Sequence, residues 1–239
     1  MTNNNVLIFD WDDTLIEAGP TICKSQYEAM QILLKHTEEF PFITAWQLPK
    51  MNELKLCIGM RFLDTIIPKI FPLIDYSNPE HLKWANKLYE TFKTIYKKQP
   101  KELFPNTLNK LLELDQAGYT LTIATNKSRE LFVFEMEKTK IPPSLFKFIV
   151  CGDDLSINKN FKPKPDMINL IQNEFITAKN FIMIGDSEFD MQAANSSARK
   201  CHTIAINEKK LINNANVYLK SVADITPDLI NKILGLDND

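Results

Sequence analysis

The short segment 6–9 constrains the fold most, because its four apolar residues run directly into the acidic sequence Asp10-Trp11-Asp12-Asp13. An apolar run of this length predicts a strand that is covered on both faces. Open α/β sheets bind ligands at the carboxyl ends of their strands, so we expect Asp10 and Asp12 to lie at a site. Two neighbouring carboxylates that are buried and ionised repel each other and need a cation. From these residues alone, a polar turn or a helix cap remains the alternative.

The composition excludes several classes of protein. The 239 residues are 44% hydrophobic and 24% charged, which is typical of a globular protein. The net charge of -2, without a long run of lysine or arginine, predicts neither a nucleic-acid partner nor an anionic membrane partner. The cysteine and histidine spacings predict neither a zinc site nor a disulfide framework. Because no signal peptide or membrane span is evident, we expect a cytoplasmic enzyme.

Two patterns divide the chain. Residues 18–99 read as successive helices, of which the clearest has Asn78 as its N-cap and Pro79 as its first residue. The apolar face of this helix is predicted to comprise Leu82, Ala85, Leu88, Tyr89, Phe92 and Ile95. From Pro105 onward, strands alternate with helices. This alternation predicts an α/β fold with a mainly parallel sheet flanked by helices, into which the all-α stretch is inserted.

Polar side chains follow three of the predicted strands. They are Asp10 and Asp12 after residues 6–9, Thr125 and Asn126 after residues 121–124, and Asp186 and Asp190 after residues 181–184. Lys162 stands in a Lys-Pro-Lys-Pro turn before a predicted helix. Since the carboxyl ends of parallel strands meet at one edge of the sheet, we expect these groups to lie close together. Such a set of carboxylates, hydroxyl and ammonium groups suits a divalent cation with a phosphate.

Individual members of this set have alternative interpretations. Asp190 could simply be a favourable carboxylate in the first turn of a helix. Lys162 could be a solvated turn lysine, with Lys164 or Lys127 reaching the phosphate instead. Thr14 is predicted to be structural, with its hydroxyl closing the turn after the first strand.

The chain resembles the haloacid dehalogenase superfamily of phosphatases over nearly its whole length, and in particular the phosphoglycolate phosphatase-like group with a helical cap. The family motifs match in order: D-x-D-x-T at Asp10, Asp12 and Thr14, a strand-terminal threonine at Thr125 with Asn126, the lysine at Lys162, and G-D-S-x-x-D at Gly185, Asp186, Ser187 and Asp190. Asp13 departs from the pattern, because a glycine is common there. The resemblance implies a Rossmann-like core domain of residues 1–17 and 100–239 and a helical cap domain of residues 18–99.

The resemblance also implies a Mg²⁺-dependent phosphatase that acts on a small phosphorylated metabolite such as phosphoglycolate, a sugar phosphate or a nucleotide. Asp10 is expected to attack phosphorus and form an aspartyl-phosphate, while Asp12 acts as general acid and base. The implied metal ligands are Asp10, Asp12, Asp186 and Asp190, and the implied phosphate-binding residues are Thr125, Asn126 and Lys162. Arg61, in the cap, is a candidate contact for the leaving group.

Two other functions remain open at this stage. One is a phosphomutase of the same fold, similar to β-phosphoglucomutase, in which the phosphoryl group returns to a sugar. The other is a non-catalytic module that binds phosphate and responds to it. The sequence also leaves open whether the protein is a monomer or a homodimer.

Overall fold

The computed structural model of the protein describes residues 4–154, 160–206 and 212–236. It divides into two compact units, one formed by Met1–Glu17 with Lys101–Asp239 and the other by Ala18–Pro100. We call them the sheet unit and the helical unit. Among the described residues, no helix has both the length and the apolar character that crossing a membrane requires.

The helical unit is built around its two longest helices, α1 and α4, which pack against each other. Its α-helices are α1 (Gly19–Leu33), α2 (Met51–Lys55), α3 (Ile67–Ile70) and α4 (Pro79–Lys97), with a 3-10 helix at Pro41–Ala45 and a π-helix at Phe62–Ile66. The Asn78 side chain accepts a hydrogen bond from the Glu80 N–H at 3.0 Å, so the predicted N-cap of α4 is confirmed.

The buried face of α4 differs in part from the prediction. Ala85, Leu88 and Phe92 are buried as predicted, whereas Leu82 is exposed and Tyr89 and Ile95 are half-buried. Trp84 and Tyr96 are fully buried in their place. The centroid of the Trp84 ring lies 5.0 Å from that of Trp46 and 5.2 Å from that of Phe71. These aromatic partners lie outside the helix, and their packing against Trp84 makes the side of α4 that carries Trp84 the buried one.

The sheet unit is organised around β1 (Asn5–Phe9), whose five residues are all buried. The other strands are β2 (Thr120–Thr125), β3 (Phe148–Cys151), β4 (Asn180–Gly185), β5 (Cys201–Ile206) and β6 (Val217–Leu219). They pair in parallel in the order β3-β2-β1-β4-β5-β6. The sequence analysis did not predict β6, because its apolar run is only three residues long, too short to indicate a strand, and none of the three is fully buried.

Helices cover the sheet, as the uninterrupted apolar strands require. The helices of the sheet unit are α5 (Thr107–Gln116), α6 (Arg129–Thr139), α7 (Asp166–Glu174), α8 (Glu188–Asn195) and α9 (Pro227–Leu234), of which α5, α7 and α8 pack on the strands. Val6 and Ile8 of β1 share a core cluster with Met167 and Ile168 of α7 and Ala193 of α8. All four cysteines of the chain are buried free thiols in the structure.

Strand register brings separate parts of the sequence to one edge. Phe9, the last residue of β1, pairs with Ile123 of β2 and with Ile184 of β4. Asp10 continues this alignment, because its N–H donates a hydrogen bond to the Ile184 carbonyl at 2.9 Å. The residues that follow β1, β2 and β4 therefore lie side by side at the carboxyl edge.

Backbone hydrogen bonds close the turn after β1. The Asp13 N–H donates to the Ile16 carbonyl at 2.8 Å, and the Leu15 N–H donates to the Trp11 carbonyl at 2.9 Å. The Thr14 hydroxyl is buried without a hydrogen-bond partner, so the prediction that it closes this turn is wrong. Asp13 has a φ of 56°, a left-handed conformation that aspartate tolerates better than most residues do.

This conformation predicts how substitutions at Asp13 change stability. We expect Asp13→Val to lower the free energy of unfolding by about 1–2 kcal/mol, because a β-branched side chain is strained at positive φ. The free energy of unfolding of Asp13→Gly should be higher than that of the wild type or lower by no more than about 0.5 kcal/mol, since glycine adopts this φ freely. Urea unfolding of both variants measures these free energies. Asp115→Val, which replaces an aspartate in the helical backbone of α5, is the control for a valine at negative φ. Equal stability of the Gly and Val variants would contradict the prediction.

Candidate active site

Three buried carboxylates meet at the carboxyl edge of the sheet. Asp10 follows β1, Asp186 follows β4, and Asp190 lies in the first turn of α8. Each offers one oxygen, and these oxygens lie within 4.8 Å of one another. The three residues are only 7%, 4% and 0% exposed. So much negative charge away from water needs compensation by cations.

Lys162 supplies one such cation. Its Nζ lies 2.7 Å from Asp10 Oδ1 and also donates to Asp190 Oδ1. The residue is 3% exposed, so the alternative of a solvated turn lysine is wrong. Burial alone would lower the pKa of Lys162, but the carboxylates of Asp10 and Asp190 outweigh it and raise the pKa above its usual range. Lys162 therefore remains an ammonium.

The side chain of Asn126 fixes the backbone of Lys162. Asn126 Nδ2 donates to the Lys162 carbonyl, and the Lys162 N–H donates to Asn126 Oδ1, both at 2.9 Å. The neighbouring Thr125 is buried at the end of β2, and its Oγ1 accepts a hydrogen bond from the Lys127 N–H at 3.2 Å. The β2 terminus thus positions two lysines, one through Asn126 and the other through Thr125.

Asp190 caps α8 and also contacts Lys162, while its predicted role as a metal ligand stays a prediction. Its Oδ2 accepts hydrogen bonds from the Ser187 hydroxyl at 2.6 Å and from the Ser187 N–H at 3.1 Å, which completes a capping box at the start of α8. Its Oδ1 binds Lys162. Gly185 makes this close approach possible, because a Cβ at that position would lie 2.4 Å from Asp190 Cγ.

Asp12 lies in a second charged cluster. Its Oδ1 is 2.5 Å from Lys127 Nζ, and the same ammonium is 2.6 Å from each carboxylate oxygen of Glu135. The Trp11 indole N–H donates to Glu135 Oε2 at 2.7 Å. Lys127 is therefore bound to Asp12 and Glu135, whereas Lys164 is exposed and donates to Asn160 at 3.2 Å.

The two aspartates have shifted proton affinities. Burial raises the pKa of Asp10 to about 6, with Lys162 opposing the shift and Asp190 adding to it. Burial likewise raises the pKa of Asp12 to about 7, with Lys127 opposing the shift and Glu135 adding to it. An acid whose pKa lies near neutrality can both donate and accept a proton at physiological pH. A pKa of about 7 is compatible with a general acid and base at Asp12, and this role stays a prediction.

Sequence reasoning missed Glu135 and the binding of Lys127 to Asp12. A signal for Glu135 was present, because this acid shares a helical face with Leu131, Phe132 and Met136, all of which are buried. A carboxylate on an apolar face needs a buried partner. Nothing local in the sequence identifies Lys127 as that partner, since the contact depends on how α6 packs.

Arg61 belongs to the helical unit. Its guanidinium forms an ion pair with Asp64 at 2.7 Å, at the start of the π-helix. The contact of Arg61 with a leaving group stays a prediction.

The donor set of the sheet edge suits a divalent metal ion. Carboxylate oxygens are the ligands that Mg²⁺ and other hard cations prefer. Asp10 and Asp186, with Asp190 beside them, provide such oxygens in a buried cluster. The geometry thus supports a cation site without specifying the metal.

Comparisons with known proteins identify the family of this chain. The sequence model of the haloacid dehalogenase-like hydrolase family matches residues 7–206. A phosphoglycolate phosphatase of Aliivibrio fischeri is 28% identical over 234 residues, which cover 97% of this chain and 95% of that protein.

Solved structures show the same fold. A HAD hydrolase of family IA, variant 3, from Entamoeba histolytica has a TM-score of 0.74 at 18% identity and covers 97% of this chain and 99% of its own. A β-phosphoglucomutase from Clostridium difficile has a TM-score of 0.72 at 15% identity, with 96% of each chain covered. The predicted α/β fold class is confirmed. Since the family model spans most of the sequence, the chain belongs to the haloacid dehalogenase-like hydrolase family.

Proposed function

We propose that this hydrolase is a Mg²⁺-dependent phosphatase that cleaves a small organic phosphate monoester through an aspartyl-phosphate on Asp10. One observation carries the proposal: the buried ammonium of Lys162 joins Asp10 to Asp190 beside Asp186, at the end of the central strand. The name of the Aliivibrio fischeri relative supports a phosphate ester and makes phosphoglycolate the first substrate to test.

The proposed metal ligands are the carboxylates of Asp10 and Asp186 with the backbone carbonyl of Asp12. Asp190 supports the site from outside, because its two oxygens already bind Lys162 and Ser187. A bound Mg²⁺ would neutralise part of the negative charge that the phosphate and the attacking carboxylate share.

In the first step, a carboxylate oxygen of Asp10 forms a bond to phosphorus while the bond from phosphorus to the ester oxygen breaks. Asp12 donates its proton to that oxygen, which leaves as an alcohol, and Asp12 becomes a carboxylate. Burial supports this role by keeping Asp12 protonated to a higher pH than an exposed aspartate, since its pKa is about 7.

In the second step, water attacks the phosphorus of the aspartyl-phosphate. Asp12 takes the proton from this water, the bond between phosphorus and Asp10 breaks, and inorganic phosphate leaves. Thr125, Asn126 and Lys162 are proposed to bind the phosphate oxygens. Their position at the end of β2 and beside Asp10 supports this role, because fixed donors stabilise the charge of a transferring phosphoryl group.

The first prediction of the proposed function concerns the nucleophile. We expect Asp10→Asn to lower phosphate release from the preferred ester by at least about 10³-fold, because the amide cannot form the aspartyl-phosphate. Phosphate release from a panel of esters that includes phosphoglycolate, with Mg²⁺ or with EDTA, tests this expectation. Asp115→Asn, a partly exposed carboxylate of α5, is the matched control.

Two outcomes of the same panel would contradict the phosphatase assignment. Turnover that requires a sugar bisphosphate primer would identify a phosphomutase. Failure of the folded wild type to release phosphate from any ester, with or without primer, would favour the non-catalytic module.

The second prediction concerns stability without metal. Burial raises the pKa of Asp10 from 3.8 to about 6, so the folded protein binds this proton more tightly than the unfolded chain. Ionisation therefore removes stability as the pH rises from about 4 to 6, and that loss persists at higher pH. In EDTA at pH 8, we expect Asp10→Asn to exceed the wild type in unfolding free energy by about 1–3 kcal/mol.

Urea unfolding at several pH values provides the measurement. The advantage of Asp10→Asn should shrink below pH 5, and Mg²⁺ should stabilise the wild type more than the variant. Asp115→Asn should show neither effect. A metal-free Asp10→Asn protein that is less stable than the wild type at pH 8 would contradict the expected sign.

The third prediction concerns Gly185. An added Cβ would lie within 2.6 Å of three Asp190 side-chain atoms, so Gly185→Ala must displace that buried carboxylate from Lys162. We expect at least about a tenfold loss of kcat and a loss of about 1–3 kcal/mol in unfolding free energy.

Gly235→Ala is the contrast for this substitution. Gly235 has a φ of 66° and no atom within 4 Å of an added Cβ, so alanine there is strained without a steric clash. This variant should lose about 1 kcal/mol of stability and keep its activity. Wild-type kcat in Gly185→Ala would show that the Asp190–Lys162 contact is dispensable.

A further inference from the structure

The cluster behind Asp12 joins three separate parts of the sheet unit. Lys127 follows β2, Glu135 lies on α6, and Asp12 follows β1. The Lys127 ammonium contacts Asp12 Oδ1 at 2.5 Å and both Glu135 oxygens at 2.6 Å. One ammonium thus connects a proposed catalytic carboxylate to a carboxylate that lies outside the proposed chemistry.

The solvent exposure of the side chains increases from Glu135 through Lys127 to Asp12. The side chain of Glu135 is 0% exposed, that of Lys127 is 3% exposed, and that of Asp12 is 19% exposed. Only the Asp12 end is therefore appreciably open to solvent. Glu135 and Lys127 form the buried support of a carboxylate that can meet a substrate.

Both supporting residues are held by further contacts. The Lys127 N–H donates to Thr125 Oγ1 at 3.2 Å, and the Lys127 carbonyl accepts from the Gly152 N–H at 2.8 Å. Glu135 accepts from the Trp11 indole, whose ring packs edge-on against Phe132 with ring centroids 4.7 Å apart. Because Trp11 directly precedes Asp12 in the chain, these contacts fix the backbone as well as the side chain.

Stability alone does not account for a lysine and a glutamate in this position. Removing two charges from water is costly, and apolar residues of similar volume often stabilise a protein as well or better. The other buried residues of α6, Leu131, Phe132 and Met136, are apolar, so methionine or leucine would suit this face. What the charged pair adds is a directional contact with Asp12.

We propose that Lys127 and Glu135 are positioning residues that orient the Asp12 carboxylate for proton transfer to the leaving group. Lys127 binds Oδ1, so Oδ2 is the oxygen that carries the proton and delivers it as the ester bond breaks. Glu135 holds the ammonium in place from the opposite side. This inference rests on the proposed phosphatase function, in which Asp12 is the general acid.

The test uses the dependence of the first step on the leaving group. An alkyl alkoxide is a poor leaving group and needs the proton from Asp12, whereas para-nitrophenolate leaves without protonation. Single-turnover release of the alcohol, measured by rapid quench, isolates this step from hydrolysis of the aspartyl-phosphate. The substrates are para-nitrophenyl phosphate and the best alkyl phosphate of the wild type.

For Lys127→Met, we expect the alkyl rate to fall about 100-fold and the aryl rate by less than about threefold. Because this variant leaves Glu135 buried without the ammonium, Lys127→Met with Glu135→Gln is the second variant. It removes both charges and retains an acceptor for Trp11, so it should fold and show the same selective loss. Glu137→Gln, exposed on the same helix, should leave both rates unchanged.

Four results would overturn the inference. Equal losses on the two esters in the folded double variant would give Lys127 a structural role. A raised KM for both esters would instead place Lys127 on the phosphate. Wild-type rates on both esters would show that Asp12 needs no support. Absence of turnover of either ester by the wild type would overturn the phosphatase proposal itself, and the inference with it.

Discussion

The ion pairs of Lys162 are the interaction on which the arrangement of the sheet edge depends. They join Asp10, 152 positions away in the sequence, to Asp190, 28 positions away. The parallel register brings Asp10 and Asp186 together, and without a cation this alignment would oppose folding. Several local features serve this one contact. Asn126 fixes the Lys162 backbone with two hydrogen bonds, and Gly185 leaves room for Asp190.

A separate lysine binds each of the first two aspartates, and this separation suits the two different chemical tasks that we propose for them. The Lys162 ammonium contacts Asp10 and Asp190. The Lys127 ammonium contacts Asp12 and Glu135. Each aspartate therefore has its own balance of burial, attraction and repulsion, although only one residue separates them. The pKa of Asp10 rises to about 6 and that of Asp12 to about 7. Separate charged partners for the two carboxylates suit the roles proposed for them, with Asp10 as the nucleophile and Asp12 as the acid.

The sequence predicted those features that local patterns determine. The bounds of α5, α6 and β3 follow from apolar periodicity and turn residues, and the charged residues after β1, β2 and β4 follow from where the apolar runs stop. Local sequence patterns did not predict the features that depend on tertiary packing. The buried face of α4 turns toward Trp84 because aromatic residues outside that helix surround it. The strand β6 pairs at an exposed edge, and no alternation of apolar residues marks it.

Glu135 shows why a site is harder to predict than a fold. Its spacing from Leu131 and Phe132 places it on the buried face of α6, so the sequence contains the anomaly of a carboxylate among apolar residues. The partner that resolves this anomaly comes from the end of β2, and the group that benefits follows β1. Only the packing of α6 against the sheet edge brings the three together. Buried charge is costly wherever it occurs, and here it lies where strands of uncharged residues end. The apolar strands thus provide the stability that allows charged groups to be buried at their carboxyl ends.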